Sequence, residues 1–344
     1  MQIVFFGTPD YVIPILDALH KTFKSKSGES PVIAIVTQKP KPVGRKKVLE
    51  YSAVDRWAYK KGIKILRDLD IKNFPNADVG VLASYGGIIP TFIIDHFKLG
   101  ILNVHPSLLP KYRGASPVPA TIISGDKETG VSIIKLDNEL DHGPIVSQFK
   151  EKVLDNDTTE TLRDRLFEKS AEVLTTFLPS YMKGKITPRK QNHKNASFTR
   201  QITKQDAFIP PKYLNACLQG RSLQAKWKIP FTKDYSLVPN AYLEETSSAY
   251  SLERFIRAMQ PWPVSWTYVQ LNSKMKKKKS KLVTKRLKIL KAHVETRNAK
   301  RETQNEKPYR VSPISYLVLD VVQLEGKREV SWKQFVEGYP NFLL

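Results

Sequence analysis

The sequence predicts an α/β fold: a doubly wound domain with a mostly parallel sheet, followed by a smaller OB-like β-barrel domain. Three observations carry this. Short apolar runs alternate with helical periodicity from the first residues to about position 183. The periodicity then lapses in a polar, basic stretch, GKITPRKQNHKNASFTRQITKQ. Beyond it come short strand-like runs separated by turn residues, the pattern of a small barrel or sandwich. The boundaries that follow are 1–184 for a catalytic domain, 185–205 for a basic linker, and 206–344 for a C-terminal domain with a Lys-rich insertion near 274–301.

Taken in order, QIVFFG (2–7), VIAIVTQ (32–38), ADVGVLASY (77–85), GILNVH (100–105), GVSIIKLD (130–137) and IVSQFKEKV (145–153) read as strands. Helical patterns fall near 10–21, 51–62, 117–124 and 158–183. In such sheets a ligand sits outside the carboxyl ends of the strands, near the point where strand order reverses. After the linker, YSLVPNAYL, VSWTYVQL, RLKILKAHV and ISYLVLDVVQL read as strands and LERFIRAM as a short helix. Alternation along RLKILKAHV predicts Leu287, Ile289 and Lys291 on one face, with Lys288 and Leu290 on the other.

Composition narrows the classes. Over 344 residues the hydrophobic fraction is 41% and the formal net charge is +23, so the chain folds and also attracts polyanions. The half after residue 201 is the more positive one. No apolar run approaches the ~18 residues needed to span a bilayer, and no membrane role is expected. The single cysteine, Cys217, excludes an intrachain disulfide and a multi-cysteine metal site, as befits a reducing compartment. The opening MQIVFFG reads as a strand, so no signal or transit segment is expected in this numbering.

The chemistry concentrates in NVHPSLLPKYRGASP, Asn103 to Pro117. Asn103 and His105 lie two apart at a strand end, so both side chains point to one face, with Val104 opposite. Pro106 removes a ladder donor and stops the strand there. Asp141, in the turn-rich LDNELDHGPIV, is placed to reach the same sheet edge. A carboxylate accepting from an imidazole fixes its tautomer and favours its charged form, which suits proton transfer. An amide donor, an imidazole and a carboxylate without an adjacent activated Ser or Cys describe acyl transfer by direct attack, with the nucleophile belonging to a substrate. Ser107 lacks the elbow that would expose it as a nucleophile. Gly7 and Thr8 form no dinucleotide fingerprint, and nothing calls for a metal.

FFGTPDY, VLASYGGIIP, NVHPSLLPKYRGASP, ETGVSIIKLDNELDHGPI and RFIRAMQPWPVSW together resemble the folate-dependent formyltransferases, from residue 1 to about 271, and the last block points to the tRNA-acting branch. The resemblance implies that Asn103, His105 and Asp141 are the catalytic set and that 10-formyltetrahydrofolate is the formyl donor. It implies donor contacts from Ser107, Leu108, Leu109 and Pro110, and a pterin pocket that includes Leu82, Ala83, Ser84, Tyr85 and Gly86. It further implies methionyl-tRNA (initiator) as acceptor, gripped by the loop KPKPVGRKK through Lys39, Lys41, Arg45, Lys46 and Lys47. Lys111 and Arg113 are expected at an entrance for the anionic acceptor. His142 and the lysine-dense insertion depart from the family pattern.

The run from Lys274 to Arg301 has thirteen basic residues against one acidic residue, Glu295. An apolar strand is threaded through it, so Lys276, Lys277, Lys278 and Lys279 are expected to add phosphate contacts. A small-molecule amine as acceptor and a non-catalytic RNA-binding protein are the two alternatives. The basic C-terminal half argues against the first, and the three polar residues together argue against the second. Expected besides are a monomer and a mitochondrial-matrix location, with bacterial cytoplasm as the alternative.

Overall fold

The computed structural model describes residues 1–44, 46–221, 232–233, 249–273, 281–297 and 313–344. It divides into two compact units, Met1–Pro117 with Lys127–Val153 and Thr161–Phe198, and Val118–Asp126 with Leu154–Glu160 and Thr199–Leu344.

The first unit is built on seven strands: β1 (Ile3–Gly7), β2 (Val32–Val36), β3 (Lys64–Leu66), β4 (Val79–Ala83), β5 (Ile101–His105), β6 (Glu128–Lys135) and β7 (Ile145–Lys152). Their order across the sheet is β7-β6-β5-β4-β1-β2-β3. The pairs β1–β2, β1–β4, β2–β3 and β4–β5 are parallel, whereas β6 runs antiparallel to β5 and β7 antiparallel to β6. The expected doubly wound, mostly parallel sheet is thus observed. β1 and β5 are buried at every position because strands covered on both faces read as continuous apolar runs. The chain leaves β1 toward β2 and β3, then returns to β4 on the other side. The strand order therefore reverses between β1 and β4, and the carboxyl ends there define the crevice.

Helices α1 (Ile13–Thr22), α2 (Ala53–Lys61), α3 (Thr91–Ile94), α4 (Pro117–Ser124) and α5 (Thr159–Met182) follow the strands. A 3-10 turn at Asp10–Val12 precedes α1, which starts later than periodicity suggests because Pro14 occupies its first turn. Ser52 caps α2 by accepting from the Asp55 amide at 3.0 Å, and Gly62 closes it in a left-handed conformation. Strand β3 has only three residues, too few for a periodic signal.

In the second unit β8 (Ser265–Ser273), β9 (Lys281–Arg297), β10 (Ile314–Leu324) and β11 (Glu329–Ser331) form a four-stranded antiparallel sheet in chain order. Helices α6 (Pro211–Leu218), α7 (Ala249–Ala258) and α8 (Trp332–Gly338) accompany it. Along β9 the register shifts between Ile289 and Ala292. Leu287 and Ile289 are buried as alternation predicts, but beyond them Ala292 is buried and Lys291 is exposed. The expectation that Lys291 shares a face with Leu287 and Ile289 is thus corrected: the register shifts once between Ile289 and Lys291 and again, in the opposite sense, between Lys291 and Ala292, and strict alternation fails across that irregularity. YSLVPNAYL and Lys276 to Lys279 lie outside the described residues.

Candidate active site

β5 ends at His105, one residue before Pro106. Asn103 pairs with Leu82 of β4 and with Ile134 of β6, and His105 pairs with Ser132. Held from both sides, the two side chains share a face and are buried, 7% and 4% exposed. Asp141 arrives from the loop between β6 and β7 with φ +48°, a left-handed conformation that costs a non-glycine residue about 1 to 2 kcal/mol. That turn aims its carboxylate at the strand end. Asn103 Nδ2 donates to Asp141 Oδ1 at 3.0 Å, and the Gly114 amide donates to Asp141 Oδ2 at 2.7 Å. His105 Nδ1 lies 3.5 Å from the same Oδ2. The structure brings together the three residues that the sequence singled out.

His105 Nε2 is 3.0 Å from the Tyr112 carbonyl, so the ring meets an oxygen at each nitrogen. A proton on Nε2 serves Tyr112, and one on Nδ1 serves Asp141. Asn103 gives one amide hydrogen to Asp141; its second N–H and its carbonyl oxygen are the groups suited to a ligand.

The turn after Pro106 is fastened from inside. Ser107 Oγ donates to the Lys111 carbonyl at 2.6 Å, and Ser132 Oγ donates to the Ser107 carbonyl at 2.7 Å while accepting from the Leu109 amide at 3.0 Å. Gln148 Nε2 reaches the Ser132 hydroxyl at 2.7 Å. Leu109 packs with Ile134 and Ile145. Ser107, Leu108, Leu109 and Pro110 are thereby held at the edge of the sheet.

At the end of β4, Leu82 and Ala83 run into Ser84 at φ +50° and Gly86 at φ +76°. Thr8, following β1, donates through Oγ1 to the Tyr85 carbonyl at 2.9 Å, which ties the two strand ends across the reversal point. A Cβ at Gly86 would meet nothing within 4 Å, so its backbone faces open space. Tyr85 itself is buried.

The loop KPKPVGRKK is more ordered than its composition predicts: Lys41–Val43 and Val48–Glu50 form an exposed antiparallel hairpin. Lys41, Lys46 and Lys47 are exposed on it, and Lys39 pairs with Asp68 at 2.6 Å. Arg45 lies outside the described residues, as do Lys276, Lys277, Lys278 and Lys279.

One expectation fails. Arg113 does not face an entrance; it is 4% exposed, with Nη2 donating to Gln191 Oε1 at 2.8 Å and to His193 Nδ1 at 2.7 Å. Burial lowers its guanidinium from the ordinary value, against the opposing pull of Asp141, Asp137 and Glu139. Tyr112 has a left-handed φ of +59°, and Arg113, the next residue, is buried. His193 stacks on His142 at 3.9 Å, nearly parallel, and His142 Nδ1 meets Asp137 Oδ2 at 2.7 Å. Partial desolvation, then the His142 ring and Arg113, hold the His193 imidazole below the usual histidine range. Gln191 and His193 belong to the stretch that composition reads as linker, and no periodic signal marks them. Clustered amides and basic residues in a supposed linker are the one hint that the sequence offers.

This arrangement, polar groups converging at the carboxyl edge of a doubly wound sheet, is that of a group-transfer enzyme. Residues 1–178 match the family model for formyl transferase, and residues 241–340 match that for the formyl transferase C-terminal domain. A methionyl-tRNA formyltransferase of Buchnera aphidicola is 36% identical over 78% of this chain and 76% of its own length. One of Caldanaerobacter subterraneus is 33% identical over 78% and 77%. The chain belongs to the formyl transferase family, in its methionyl-tRNA formyltransferase branch. A crystal structure of an N-formyltransferase from Helicobacter canadensis, with folinic acid and dTDP-3-aminofucose, has the same fold: TM-score 0.57, 16% identity, 93% of this chain and 98% of that one.

Proposed function

We propose that this chain transfers a formyl group from 10-formyltetrahydrofolate to the α-amino group of initiator methionyl-tRNA. The observation that carries the reading is the meeting of Asn103, His105 and Asp141 at the end of β5 in a chain whose relatives are methionyl-tRNA formyltransferases. The Ser107 hydroxyl is committed to the Lys111 carbonyl, which supports an attack by the substrate amine rather than by the protein.

The residues present fit a folate donor. Ser107 to Pro110 offer a rigid turn in which Leu109 is anchored in the core and Leu108 and Pro110 are only partly buried, and Ala83, Ser84 and Gly86 offer small residues, with open space at Gly86, against which a flat ring can lie. When bound, the donor supplies the activated formyl group. Asn103 then directs its second N–H toward the oxygen on which negative charge develops. The proton released by the attacking amine would pass to the pair formed by His105 and Asp141, and a proton would return to the N10 nitrogen of tetrahydrofolate as its bond to the formyl carbon breaks. Their 3.5 Å separation is long for a hydrogen bond and would tighten in the substrate complex. Asp141 keeps both partners in register by accepting from Asn103 and Gly114 as well.

Lys41, Lys46 and Lys47 on the hairpin, with Lys39, Arg45 and Lys276 to Lys279, supply phosphate contacts for the tRNA. We further propose a monomer, and a place in the mitochondrial matrix, where formylated initiator tRNA is used and which the net charge of +23 suits. The test is formyl transfer from labelled donor to charged initiator tRNA. Transfer to a small amine alone, or tRNA binding without transfer, would sink the reading.

A further inference from the structure

We infer that Gln191 is a positioning residue for Asp141, holding the loop that carries the catalytic carboxylate by its backbone. Gln191 Nε2 donates to the Asp141 carbonyl at 2.9 Å and to the Gly143 carbonyl at 2.7 Å. Its Oε1 accepts from Arg113 Nη2 at 2.8 Å. These partners define the amide's orientation, since carbonyls only accept and guanidinium only donates. The side chain is 6% exposed, so water does not readily replace either bond.

The consequence lies in the conformation of Asp141. At φ +48° its backbone is in a region that other residues avoid, and relaxation toward an ordinary φ would swing the carboxylate from Asn103 and His105. Gln191 opposes this by gripping Asp141 and Gly143 at once. Through Arg113 it also fastens the segment whose next residue, Gly114, donates to Asp141 Oδ2. One side chain thus braces the carboxylate's own loop and one of its hydrogen-bond donors. Glutamate would turn carboxylate oxygens toward both carbonyls, and leucine would offer no donor.

The inference rests on the proposed formyl transfer, and the tests separate the two. Initial rates with donor and charged initiator tRNA would be measured for wild type, Gln191→Glu and Gln191→Leu. Turnover is expected to fall about 10- to 100-fold, the scale on which small misplacement of a reacting group acts, with KM for either substrate within about 2-fold. In an Asp141→Asn background, Gln191→Leu should cost little more, because its effect runs through that carboxylate. Unchanged turnover, a loss confined to KM, or multiplicative losses in the double variant would overturn the assignment. So would unfolding of both single variants, which would give Gln191 to the fold instead. A wild type that formylates no methionyl-tRNA sinks the functional reading alone. The nitrogen resonances of the His105 ring then still decide: displacement in Gln191→Glu is expected, and unchanged resonances would refute the inference.

Discussion

At the scale of the residue, the site depends on how few groups do several things. Asn103 shares one N–H with Asp141 and has another to give; His105 is held between the Tyr112 carbonyl and Asp141. Losing an oxyanion donor typically lowers turnover about 100- to 1000-fold, and losing a general base about 100- to 10,000-fold. Asn103→Ala and His105→Ala should therefore bind charged tRNA with unchanged affinity and fall by those respective orders in single-turnover formylation; a near-normal rate in either would refute its role. This pair is legible in the sequence because a strand ending at proline leaves residues two apart on one face. The partners Gln191 and His193 are not, because they lie about fifty residues beyond Asp141 in an aperiodic stretch and meet its loop only through the folded backbone.

Elements set the tolerances within which these residues work. The loop between β6 and β7 closes tightly: a Cβ on Gly143 would stand 1.9 Å from the Lys135 carbonyl. Gly143→Ala must displace backbone rather than a flexible side chain, so both melting temperature and turnover should drop, and a variant that retained both would show the loop to be slack. Within the second unit, Arg200 donates to both oxygens of Asp206 at 2.7 and 2.8 Å, and the Thr203 amide donates at 2.7 Å. The Arg200 hydrogen bond chiefly, with Thr203, holds that carboxyl below its ordinary value of 3.8. Because the folded value is depressed, the stabilisation is complete above the ordinary value and is lost as pH falls through the folded one. Asp206→Asn should cost about 1 to 2 kcal/mol at neutral pH, a figure discounted for the exposure of Arg200, and should flatten stability in that acid window. Denaturant unfolding at several pH values measures both. Strand periodicity locates β5 and β10 closely, whereas it misses β3, α6 and α8, whose short lengths leave little pattern.

For the whole molecule, the net charge of +23 is a statement about partners. Neutralising Lys276 to Lys279 should weaken tRNA binding and lower its salt dependence, by up to about 0.7 to 0.9 in log slope for each phosphate no longer neutralised, leaving turnover at saturation unchanged. An unaltered slope in filter binding across salt concentrations would return these lysines to plain solvation. On β9 Lys285 and Lys291 are exposed while Leu287, Ile289 and Ala292 are buried, so part of the basic run stands on a folded sheet.

The sequence by itself determined the alternation of strands and helices, the end of β5, and the candidacy of Asn103, His105 and Asp141, because hydrophobic period and proline act locally. Only the tertiary structure decided that Arg113 turns inward, that a register irregularity leaves Lys291 exposed, and that Gln191 grips the Asp141 loop. Those outcomes depend on a left-handed backbone at single residues and on partners distant in the chain. Neither leaves a periodic trace in the order of amino acids.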